Sequence, residues 1–362
     1  MIQPERPLAS VIVLGYNGRE FLEDCLSSVL DQDSPSAQYE VLYVDNGSRD
    51  GSAALVKQRF PQVQVLELHR NHGYAEGNNI GFRLTRGEFI VFLNQDTAVH
   101  RSWLRELIGG IRSAPDIMAG HANIIHPWYP EYNGLAQRAD VSVAYTPELT
   151  RLGYVRYLRL GPVGPPTDVL FLSGASLIIR RQVIDELGYV FDPDFFFYAE
   201  DMDLGLRIRA LGYRCVVVPE AIVYHKHSLK TNLSIATVVK TVRIIRNRYL
   251  AFYKVMAWWE FVPMAALLTV GSPFNALEFG LKPWQRLLYG LALVPTTLAA
   301  LAVALWNLPR YAHKRRDVRA RAAARGAWCL RAVWGGVGAT TSQEEAGSDR
   351  DLSGGPHALR RR

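Results

Sequence analysis

Three carboxylates stand directly behind an aromatic cluster in this chain. Glu200, Asp201 and Asp203 follow the four rings of Phe195–Tyr198. Acidic side chains are common in the first turn of a solvated helix, because the helix dipole favours them there. The aromatic rings favour burial, however, and would draw the acids towards a wall of the protein. The pattern therefore favours carboxylates that are partly shielded from water over a fully solvated helix start.

Polar side chains also follow three apolar runs in the N-terminal part of the chain. Tyr16 and Asn17 follow "VIVLG", Asp45 precedes "NGSRDGS", and Asn94 and Asp96 end "EFIVFLNQD". A carboxylate at Asp45 could accept a hydrogen bond from a nucleobase imide or a ribose hydroxyl; a turn capped by its own Asp explains it equally well. Asp96 offers an oxygen ligand to a divalent cation such as Mg²⁺ or Mn²⁺; a strand that ends in an Asx turn is the alternative.

The segment Asn71–Phe82, "NHGYAEGNNIGF", is rich in glycine and asparagine and precedes a helix. Glycine allows a ligand to approach the backbone closely, and a helix N-terminus binds anions, so Asn71, Gly73 and Asn79 could contact a diphosphate. An ordinary loop with a helix cap explains the same residues. The chain contains neither G-x-G-x-x-G nor G-x-x-x-x-G-K-[ST], which argues against a dinucleotide or P-loop site.

The elements that must position these side chains are apolar runs that predict buried strands, with helical patterns between the early ones. The predicted strands are Ser10–Leu14, Glu40–Val44, Val63–Leu68, Phe89–Leu93, Leu177–Ile179 and Cys215–Val218. Alternation of strand and helix predicts a layered α/β domain with a mostly parallel sheet. Because ligands bind at the carboxyl ends of the strands in such sheets, we expect the polar clusters to meet at one edge.

Seven motifs, in this order, resemble the family 2 glycosyltransferases, which have the GT-A fold. The motifs are "VIVLGYN", "VDNGSRDGS", "NHGYAEGNN", "FLNQD", "FLSGASLIIRR", "FFFYAEDMDLGLRIRALGYR" and "VYHKHS". The resemblance covers Leu8 to Ser228 and is greatest to a branch of rhamnosyltransferases and related cell-surface polysaccharide enzymes. It implies a GT-A nucleotide-sugar-binding domain that takes a dTDP- or UDP-sugar as donor and a glycan or glycolipid as acceptor.

The resemblance also implies roles for individual residues. Tyr16 matches the aromatic residue that packs on the nucleobase, and Asp45 matches the carboxylate that reads the base or the ribose. Asp96 matches the metal-binding end of a DXD-like motif, and His225 matches a histidine that completes the metal site in some members. Asp201 matches the catalytic base of the family's acidic pair.

Two features bear on this metal site. Asn94 replaces the first acid of the DXD motif and brings no charge to a cation, so the site would rely on Asp96, the diphosphate and His225. The neighbouring His227 makes the choice of histidine ambiguous, and a histidine that simply closes a strand is the alternative. An imidazole ligand would favour Mn²⁺ over Mg²⁺.

Neighbouring charged residues are expected to support the site. Glu200 and Asp203 could hold the loop or pair with Arg207, one helical turn after Asp203. Arg180 and Arg181 follow a predicted strand and could touch phosphate, although ordinary surface arginines are an equally good explanation.

Composition and charge argue against several other classes of protein. The chain has 362 residues, is 49% hydrophobic and carries a formal charge of +7. The basic residues crowd into 310–331 and the last three positions, so a nucleic-acid partner is not expected. The 3 cysteines are widely separated, which argues against a zinc site or a disulfide framework. The N-terminus lacks the apolar core of a signal peptide, so we expect the catalytic part to stay in the cytosol.

Two uncharged runs, Phe261–Leu277 and Leu287–Pro309, follow the region of resemblance. The second would reach about 34 Å as a helix, which is enough to cross a bilayer core of about 30 Å. The basic sequence after it should stay cytosolic and add attraction to an anionic membrane surface. A cytosolic catalytic domain then requires an even number of crossings, so we expect a hairpin or a re-entrant segment at the cytoplasmic face. A soluble helical subdomain is the alternative.

The predicted plan is a GT-A domain at 7–228, a helical linker at 229–260, a membrane-associated segment at 261–310 and a basic, then disordered tail at 311–362. Disorder is expected from Gly335 onward, where periodicity ends. A truncation before Glu260 should release a soluble domain that still binds nucleotide.

The sequence predicts an inverting glycosyltransferase that moves a sugar, such as rhamnose, from a nucleotide to a hydroxyl of a lipid-linked or cell-surface polysaccharide acceptor. One alternative is a polyprenyl-phosphate glycosyltransferase, whose phosphate acceptor needs no general base. The other is an inactive nucleotide-sugar-binding protein, which only Asn94 favours.

Overall fold

The computed structural model describes most of the chain. The described residues are 6–34, 38–125, 145–149, 155–159, 164–226, 235–271 and 283–326. The strands are β1 Ala9–Gly15, β2 Tyr39–Asp45, β3 Gln64–Glu67, β4 Phe89–Asn94, β5 Thr97–Val99, β6 Ile117–Ile125, β7 Tyr145–Leu149, β8 Val155–Arg159, β9 Thr167–Asp168, β10 Ser176–Arg180 and β11 Arg214–His225. The helices are α1 Arg19–Leu30, α2 Ser52–Arg59, α3 Gly73–Phe82, α4 Trp103–Arg112, α5 Arg181–Leu187, α6 Glu200–Ala210, α7 Ile235–Val255, α8 Trp258–Gly271 and α9 Pro283–Ala324.

Within those residues, a nine-stranded sheet with the order β3-β2-β1-β4-β10-β6-β11-β5 organises the N-terminal part, and β9 pairs with β11. Strands β3, β2, β1 and β4 are parallel, as predicted, whereas β10 runs antiparallel to both β4 and β6. At the carboxyl edge, Gly15 is in register with Asp45, and Leu14 with Asn94. The predicted polar clusters therefore follow adjacent strands.

Helices cover both faces of the sheet. Val11 and Val13 of β1 belong to one core cluster, and Ile12 between them belongs to the other, as the alternation of side chains along a strand requires. Helices α1, α2 and α4 pack on the first face, and α3, α5 and α6 pack on the second. The layered α/β architecture predicted from the sequence is confirmed.

Strand β6 lies in the middle of the sheet but was not among the predicted strands. Its sequence "IMAGHANII" interrupts the apolar run with glycine, histidine and asparagine, although nearly all of the strand is buried. His121 is fully buried within it. Burial lowers the pKa of His121 to about 4. The side chain is therefore neutral at neutral pH and can belong to a core.

Helices α7, α8 and α9 build a third core against α6. Tyr249 and Phe252 of α7, Phe261 of α8 and Tyr311 of α9 are buried together with Leu206 of α6. Helix α9 is continuous over 42 residues and includes both the second apolar run and the basic sequence after it.

The basic sequence after Pro309 is bound to the α/β domain. Lys314 of α9 pairs with Asp192 at 2.5 Å, and Arg325 just beyond the helix pairs with Glu186 at 2.7 Å. These cations, which the sequence suggested would face a membrane, are thus engaged by protein. The disorder predicted from Gly335 lies outside the described residues.

One helical stretch in the described part of the chain, Gly290–Ala324, is long and apolar enough to cross a membrane, and its most apolar 18-residue window has a mean hydropathy of 1.8. It fits the membrane-associated region predicted for the C-terminal part. Its apolar half leaves large side chains exposed, among them Leu291, Leu298 and Trp306. Helix α8, which contains the start of the first apolar run, also exposes a large side chain, Trp259.

Candidate active site

Asn17 joins the loops that follow β1 and β2. Its φ of 48° lies in the left-handed region, which asparagine tolerates better than most residues. Its backbone N–H donates to Ser48 Oγ at 2.9 Å, and its Oδ1 accepts from the Arg49 N–H at 2.9 Å. The neighbouring Tyr16 is 46% exposed at the sheet edge. The ring of Tyr16 is therefore accessible to a flat ligand such as a nucleobase.

Asp45 is buried at the end of β2. Its Oδ1 accepts a hydrogen bond from the Ser48 N–H at 3.0 Å. This is the self-capped turn that the sequence allowed as an alternative. Because one carboxylate oxygen serves the turn, a contact with a base or a ribose would use the other oxygen.

Asn46, which the sequence analysis did not select, holds the glycine-rich segment against β2. Its Oδ1 accepts from the His72 N–H at 2.9 Å, and its Nδ2 donates to the Gly73 carbonyl at 3.0 Å and to Asn71 Oδ1 at 3.2 Å. Asn71 Oδ1 also accepts from the Gly73 N–H at 2.7 Å. These two hydrogen bonds to Asn71 stabilise the turn that leads into α3. The sequence signal for Asn46 is its position directly after Asp45 in the motif "VDNGSRDGS".

Gly73 begins α3 with a φ of +76°, and a Cβ there would lie 2.3 Å from the carbonyl oxygen of Phe196. That oxygen accepts a hydrogen bond from the Ala75 N–H at 3.2 Å. The Phe196 carbonyl thus packs closely against Gly73, and contact of Gly73 with a diphosphate stays a prediction. The start of α3 supports the loop that leads to the acidic cluster.

Asn79 has a different environment from the one expected of a diphosphate ligand. Its Nδ2 donates to the Phe191 carbonyl at 2.8 Å, and its Oδ1 accepts from the Phe191 N–H at 3.1 Å. Asn79 is buried. It anchors the chain before the aromatic segment to α3, and diphosphate binding by Asn79 stays a prediction.

Asp96 and His225 are brought together at the carboxyl edge of the sheet. His225 Nε2 lies 3.2 Å from Asp96 Oδ1. The backbone causes this contact, because β5 pairs antiparallel with β11 and places Thr97 opposite His225. Asn94, two residues before Asp96, ends β4 at the same edge. The alternative ligand His227 lies outside the described residues.

The Asp96–His225 pair supplies one carboxylate oxygen and one imidazole nitrogen. This donor set suits Mn²⁺, which accepts imidazole more readily than Mg²⁺ does. Among the described residues, no group of three or more His, Cys, Asp and Glu side chains could hold a metal ion. A cation held by this pair would need further ligands, such as the oxygens of a bound diphosphate or water.

Asp201 is held next to this edge by the chain that precedes β10. Its Oδ2 accepts from the Gly174 N–H at 2.8 Å, and its Oδ1 accepts from the Met202 N–H at 2.7 Å. The next residue, Ala175, accepts through its carbonyl from the Asn94 N–H at 3.1 Å. Asp201 is thus anchored one residue away from the segment that pairs with the end of β4.

Glu200 and Asp201 occupy a poorly solvated environment. Burial raises the pKa of Asp201, although hydrogen bonds from Gly174 and Met202 and the charge of Arg248 oppose the shift. Burial, together with the charge of Asp201, raises the pKa of Glu200 well above its usual range. Glu200 Oε2 is buried without a hydrogen-bond partner. The carboxylate that accepts two backbone hydrogen bonds, Asp201, is the better placed of the two to carry a charge.

Residues 10–188 match the family model described as glycosyl transferase family 2. These residues form a glycosyl transferase family 2 domain. The solved mannosyltransferase PcManGT from Pyrobaculum calidifontis, in complex with GDP-Man and Mn²⁺, aligns with a TM-score of 0.53 at 21% identity, over 91% of this chain and 88% of that one. S. aureus TarS aligns with a TM-score of 0.51 at 18% identity, over 87% of this chain and 90% of that one. These likenesses show that the glycosyltransferase has the GT-A fold.

Two relatives with similar sequences are also named as glycosyltransferases. Glycosyltransferase AglE of Haloferax volcanii is 27% identical over 49% of this chain, and the match spans 62% of that relative's length. The N-acetylglucosaminyl-diphospho-decaprenol L-rhamnosyltransferase of Mycobacterium tuberculosis is 29% identical over 61% of this chain and 76% of that relative.

The loop before Asp201 in the glycosyltransferase is conformationally unusual. Phe196, Tyr198 and Ala199 have φ values of 61°, 75° and 64°. Such conformations are costly for residues other than glycine and persist only where the surroundings impose them. The buried Asn247 of α7 contacts this loop at three places: its Nδ2 donates to the carbonyl of Tyr198 at 2.7 Å and also reaches those of Phe195 and Phe197, at 3.2 and 3.3 Å. No local sequence signal pointed to Asn247.

Asp203 is fully buried in a network of charges. It pairs with Arg207 at 2.9 Å, as predicted, and also with Lys254 of α7 at 2.6 Å. Lys254 pairs in turn with Asp192 at 2.8 Å. Burial opposes the ionisation of Asp192, but Lys254 and Lys314 outweigh it and hold the pKa of Asp192 below its usual range. The network joins α6, α7 and α9 directly behind the acidic cluster.

Arg180 and Arg181 lie at the opposite edge of the sheet. Because β10 is antiparallel to β4, Arg180 is in register with Phe89 at the start of β4. Arg180 donates to the carbonyls of Ile111 and Ile117, each at 2.9 Å. Arg181 donates to the Gly87 carbonyl at 2.7 Å. These arginines stabilise the amino edge of the sheet and are not placed to contact a phosphate at the site.

Proposed function

We propose that this glycosyltransferase transfers a sugar from a nucleotide to a hydroxyl group with inversion of configuration. The observation that carries the proposal is the convergence of Asp96, His225 and Asp201 at one edge of the sheet, from segments far apart in the sequence. His225 Nε2 lies 3.2 Å from Asp96 Oδ1, and Gly174 holds Asp201 beside the strand end that leads to Asp96.

In this mechanism, Asp96 and His225 would hold a divalent cation, Mn²⁺ or Mg²⁺. When bound, that cation neutralises the charge of the departing diphosphate. Asp201 accepts the proton of the acceptor hydroxyl as its oxygen bonds to the anomeric carbon. The bond from that carbon to the nucleotide diphosphate breaks on the opposite face, so the configuration inverts. The raised pKa of Asp201 makes it a stronger base than an ordinary aspartate.

The proposed donor is a dTDP-sugar, with dTDP-rhamnose first and UDP-sugars second. Thymine and uracil share an imide edge that a carboxylate such as Asp45 can read, so Asp45 alone does not distinguish them. One relative, at 29% identity, is named as an L-rhamnosyltransferase, which supports rhamnose. A screen of dTDP-, UDP- and GDP-sugars with the purified protein, read out by mass spectrometry, tests this choice. Turnover with GDP-sugars alone would contradict it.

The proposed acceptor is a lipid-linked or cell-surface glycan at the cytoplasmic face of the membrane. The apolar half of α9 supports membrane attachment, and a relative named for a diphospho-decaprenol acceptor supports the lipid. High salt should fail to remove the protein from membranes, because burial of apolar side chains dominates. A full-length protein that is soluble without detergent would contradict the membrane assignment.

Asp201→Asn distinguishes this mechanism from transfer to a polyprenyl phosphate. A phosphate acceptor needs no general base, so near-normal turnover of the variant with such an acceptor would favour that alternative. Nucleotide binding without transfer or donor hydrolysis would favour an inactive binding protein.

A further inference from the structure

Helix α7 carries a row of cations beside Phe195–Ala199, the aromatic loop that precedes Asp201. Lys240, Arg243, Arg246 and Arg248 lie in its N-terminal two thirds, and its sequence, "IATVVKTVRIIRNRYLAFYKV", contains no aspartate or glutamate. Lys240 and Arg243 are three residues apart, and Asn247 follows Arg243 by four. These spacings place all three on one face of the helix, the face that holds the aromatic loop.

Lys240 and Arg243 lie over aromatic rings of that loop. Lys240 Nζ is 5.0 Å from the centre of the Tyr198 ring, and Arg243 Cζ is 5.2 Å from the centre of the Phe196 ring. Phe196 and its neighbour Phe197 are partly exposed. The loop passes directly from these rings to Asp201. Two cations and two partly exposed rings therefore lie on the loop that leads to the proposed base.

Asp194, which precedes the aromatic loop, is already engaged. Asp194 pairs with Arg310 at 2.5 Å and with Lys314 at 2.8 Å, both on α9. The other acids at the loop, Glu200 and Asp201, belong to the site itself. The side of α7 that carries Lys240 and Arg243 therefore bears excess positive charge, which suits an anionic ligand.

An apolar surface adjoins the cation row. Helix α9 runs in the same direction as α7, because Arg315 donates to the carbonyl of Tyr253 and Arg319 to that of Met256. Val242 of α7 and Leu301 of α9 pack against the same core cluster. The apolar half of α9 thus lies beside the N-terminal half of α7.

We propose that Lys240 and Arg243 form a binding site for the phosphate that links the acceptor sugar to a lipid chain. The proposal rests on the function proposed above and names the acceptor class of the same site. The loop that carries the rings leads to the base, the two cations lie over those rings, and the apolar half of α9 lies beside the same part of α7. These features suit, respectively, a sugar ring, a sugar hydroxyl, a phosphate and a hydrocarbon chain. Partly exposed rings suit the apolar face of a sugar, and the cations suit phosphate oxygens through charge-assisted hydrogen bonds.

The test measures binding of farnesyl diphosphate to the full-length protein in neutral detergent. EDTA is present, so that binding through a cation at Asp96 and His225 does not contribute. Wild type should bind farnesyl diphosphate more tightly than farnesol. The double variant Lys240→Gln/Arg243→Gln should lose about tenfold or more in affinity, because two charged contacts are removed. Lys57→Gln/Arg59→Gln removes the same charge from the exposed side of α2 and should bind like wild type.

A charge-preserving double variant, Lys240→Arg/Arg243→Lys, keeps the test informative where the Gln variants are unstable. It should bind farnesyl diphosphate within a few-fold of wild type. Equal affinity of wild type and Lys240→Gln/Arg243→Gln would overturn the proposal. Loss of binding only to phosphatidylglycerol vesicles, with unchanged affinity for farnesyl diphosphate, would assign the cations to membrane headgroups and would also overturn it.

The test of farnesyl diphosphate binding does not require that the protein transfers sugar. Asp201→Asn should bind farnesyl diphosphate like wild type, because Asp201 acts on the hydroxyl and not on the phosphate. If wild type transfers sugar but the double Gln variant shows an unchanged acceptor KM, the phosphate site is wrong and the proposed function stands. If the binding results hold but no donor supports transfer, the proposed function fails and the site stands.

Discussion

Asp96 and His225 lie 129 positions apart in the sequence, and their side chains meet at 3.2 Å. The short strand β5 makes this contact, because it leaves Asp96 beside the end of β11. The Lys226 N–H also donates to the Asp96 carbonyl at 2.8 Å, so the backbones on both sides of the pair are fixed. The geometry of the pair thus depends on closure of the sheet edge and not on a local turn.

Asp96→Ala should abolish Mn²⁺-dependent binding of UDP and dTDP while leaving the fold intact, because Asp96 lies at a strand end outside the core. Isothermal titration with Mn²⁺ and with EDTA measures the effect. Asp116→Ala, which removes an exposed acid at the opposite edge of the sheet, is the control. Equal affinity of Asp96→Ala and wild type in both conditions would remove Asp96 from the site.

Asp201→Asn should lower kcat by about 10²- to 10⁴-fold, the usual contribution of general acid–base catalysis, with little change in donor affinity. The base must be ionised, and burial raises the pKa of Asp201. Wild-type kcat should therefore fall on acidification with an apparent pKa above the value of about 3.9 for free aspartate. A loss of donor binding as large as the loss of kcat would indicate a structural or metal-binding role instead.

Glu200→Gln should make the folded protein less sensitive to pH. Burial and Asp201 raise the pKa of Glu200 in the folded state, so the folded state retains a proton that the unfolded state releases above about pH 4.3. Wild type should lose stability as the pH rises from that value towards the folded pKa, and the variant should lose less. Thermal unfolding at pH 4.5 and pH 7 compares the two proteins. The same difference in Tm for both would contradict the prediction, and Glu88→Gln controls for an exposed acid.

Asn247→Ala should release the loop before Asp201, because the carbonyls of Phe195, Phe197 and Tyr198 would lose their shared donor. Leaving buried polar groups unpaired costs about 1–3 kcal/mol. We expect faster hydrogen exchange in the loop and a lower kcat, with donor affinity nearly unchanged. Thr241→Ala, which removes a side-chain bond within α7, should change neither. Unchanged kcat and exchange in Asn247→Ala would show that the loop holds its conformation without the amide.

Truncation before Glu260 should destabilise the glycosyltransferase, which changes the expectation from the sequence. It removes Lys314, a partner of the buried Asp192, and exposes the core cluster that Tyr311 helps to fill. Losing one partner of a buried ion pair costs about 3–5 kcal/mol. A truncation after Gly326 retains both and should fold. Thermal unfolding and nucleotide binding measure the outcome, and a stable, nucleotide-binding protein ending before Glu260 would show that α8 and α9 are an appended module.

The strands that carry the site could be predicted from the sequence because their apolar runs are continuous. Strands β1, β2 and β4 begin and end within about one residue of the predicted positions. Their polar ends were therefore assigned to the correct edge. Strand β6 was missed because His121 and Asn123 resemble loop residues, although the fold buries both of them.

The support of the site could not be predicted, because it comes from long-range contacts. The pair of Asp203 with Arg207 follows from spacing within one helix, whereas the pair of Asp203 with Lys254 requires α7 to pack against α6. In the same way, nothing in the sequence around Asn247 shows that three carbonyls of a distant loop will meet its amide. Side-chain type and spacing indicate the candidate site residues, and tertiary packing decides what holds them.

Helix α9 continues through Pro309 and so joins its exposed apolar half rigidly to the residues that pair with the α/β domain. Trp306 is exposed on the apolar half, and Lys314 pairs with Asp192 and Asp194 at the base of the aromatic loop. At about 1.5 Å per residue, the axial distance between Trp306 and Lys314 is about 12 Å. With α9 attached to a membrane as proposed, a helical segment of that length would separate the lipid from the base of the loop that leads to Asp201. The enzyme would then select acceptors by the distance of their reactive sugar from the lipid as well as by the chemistry of that sugar.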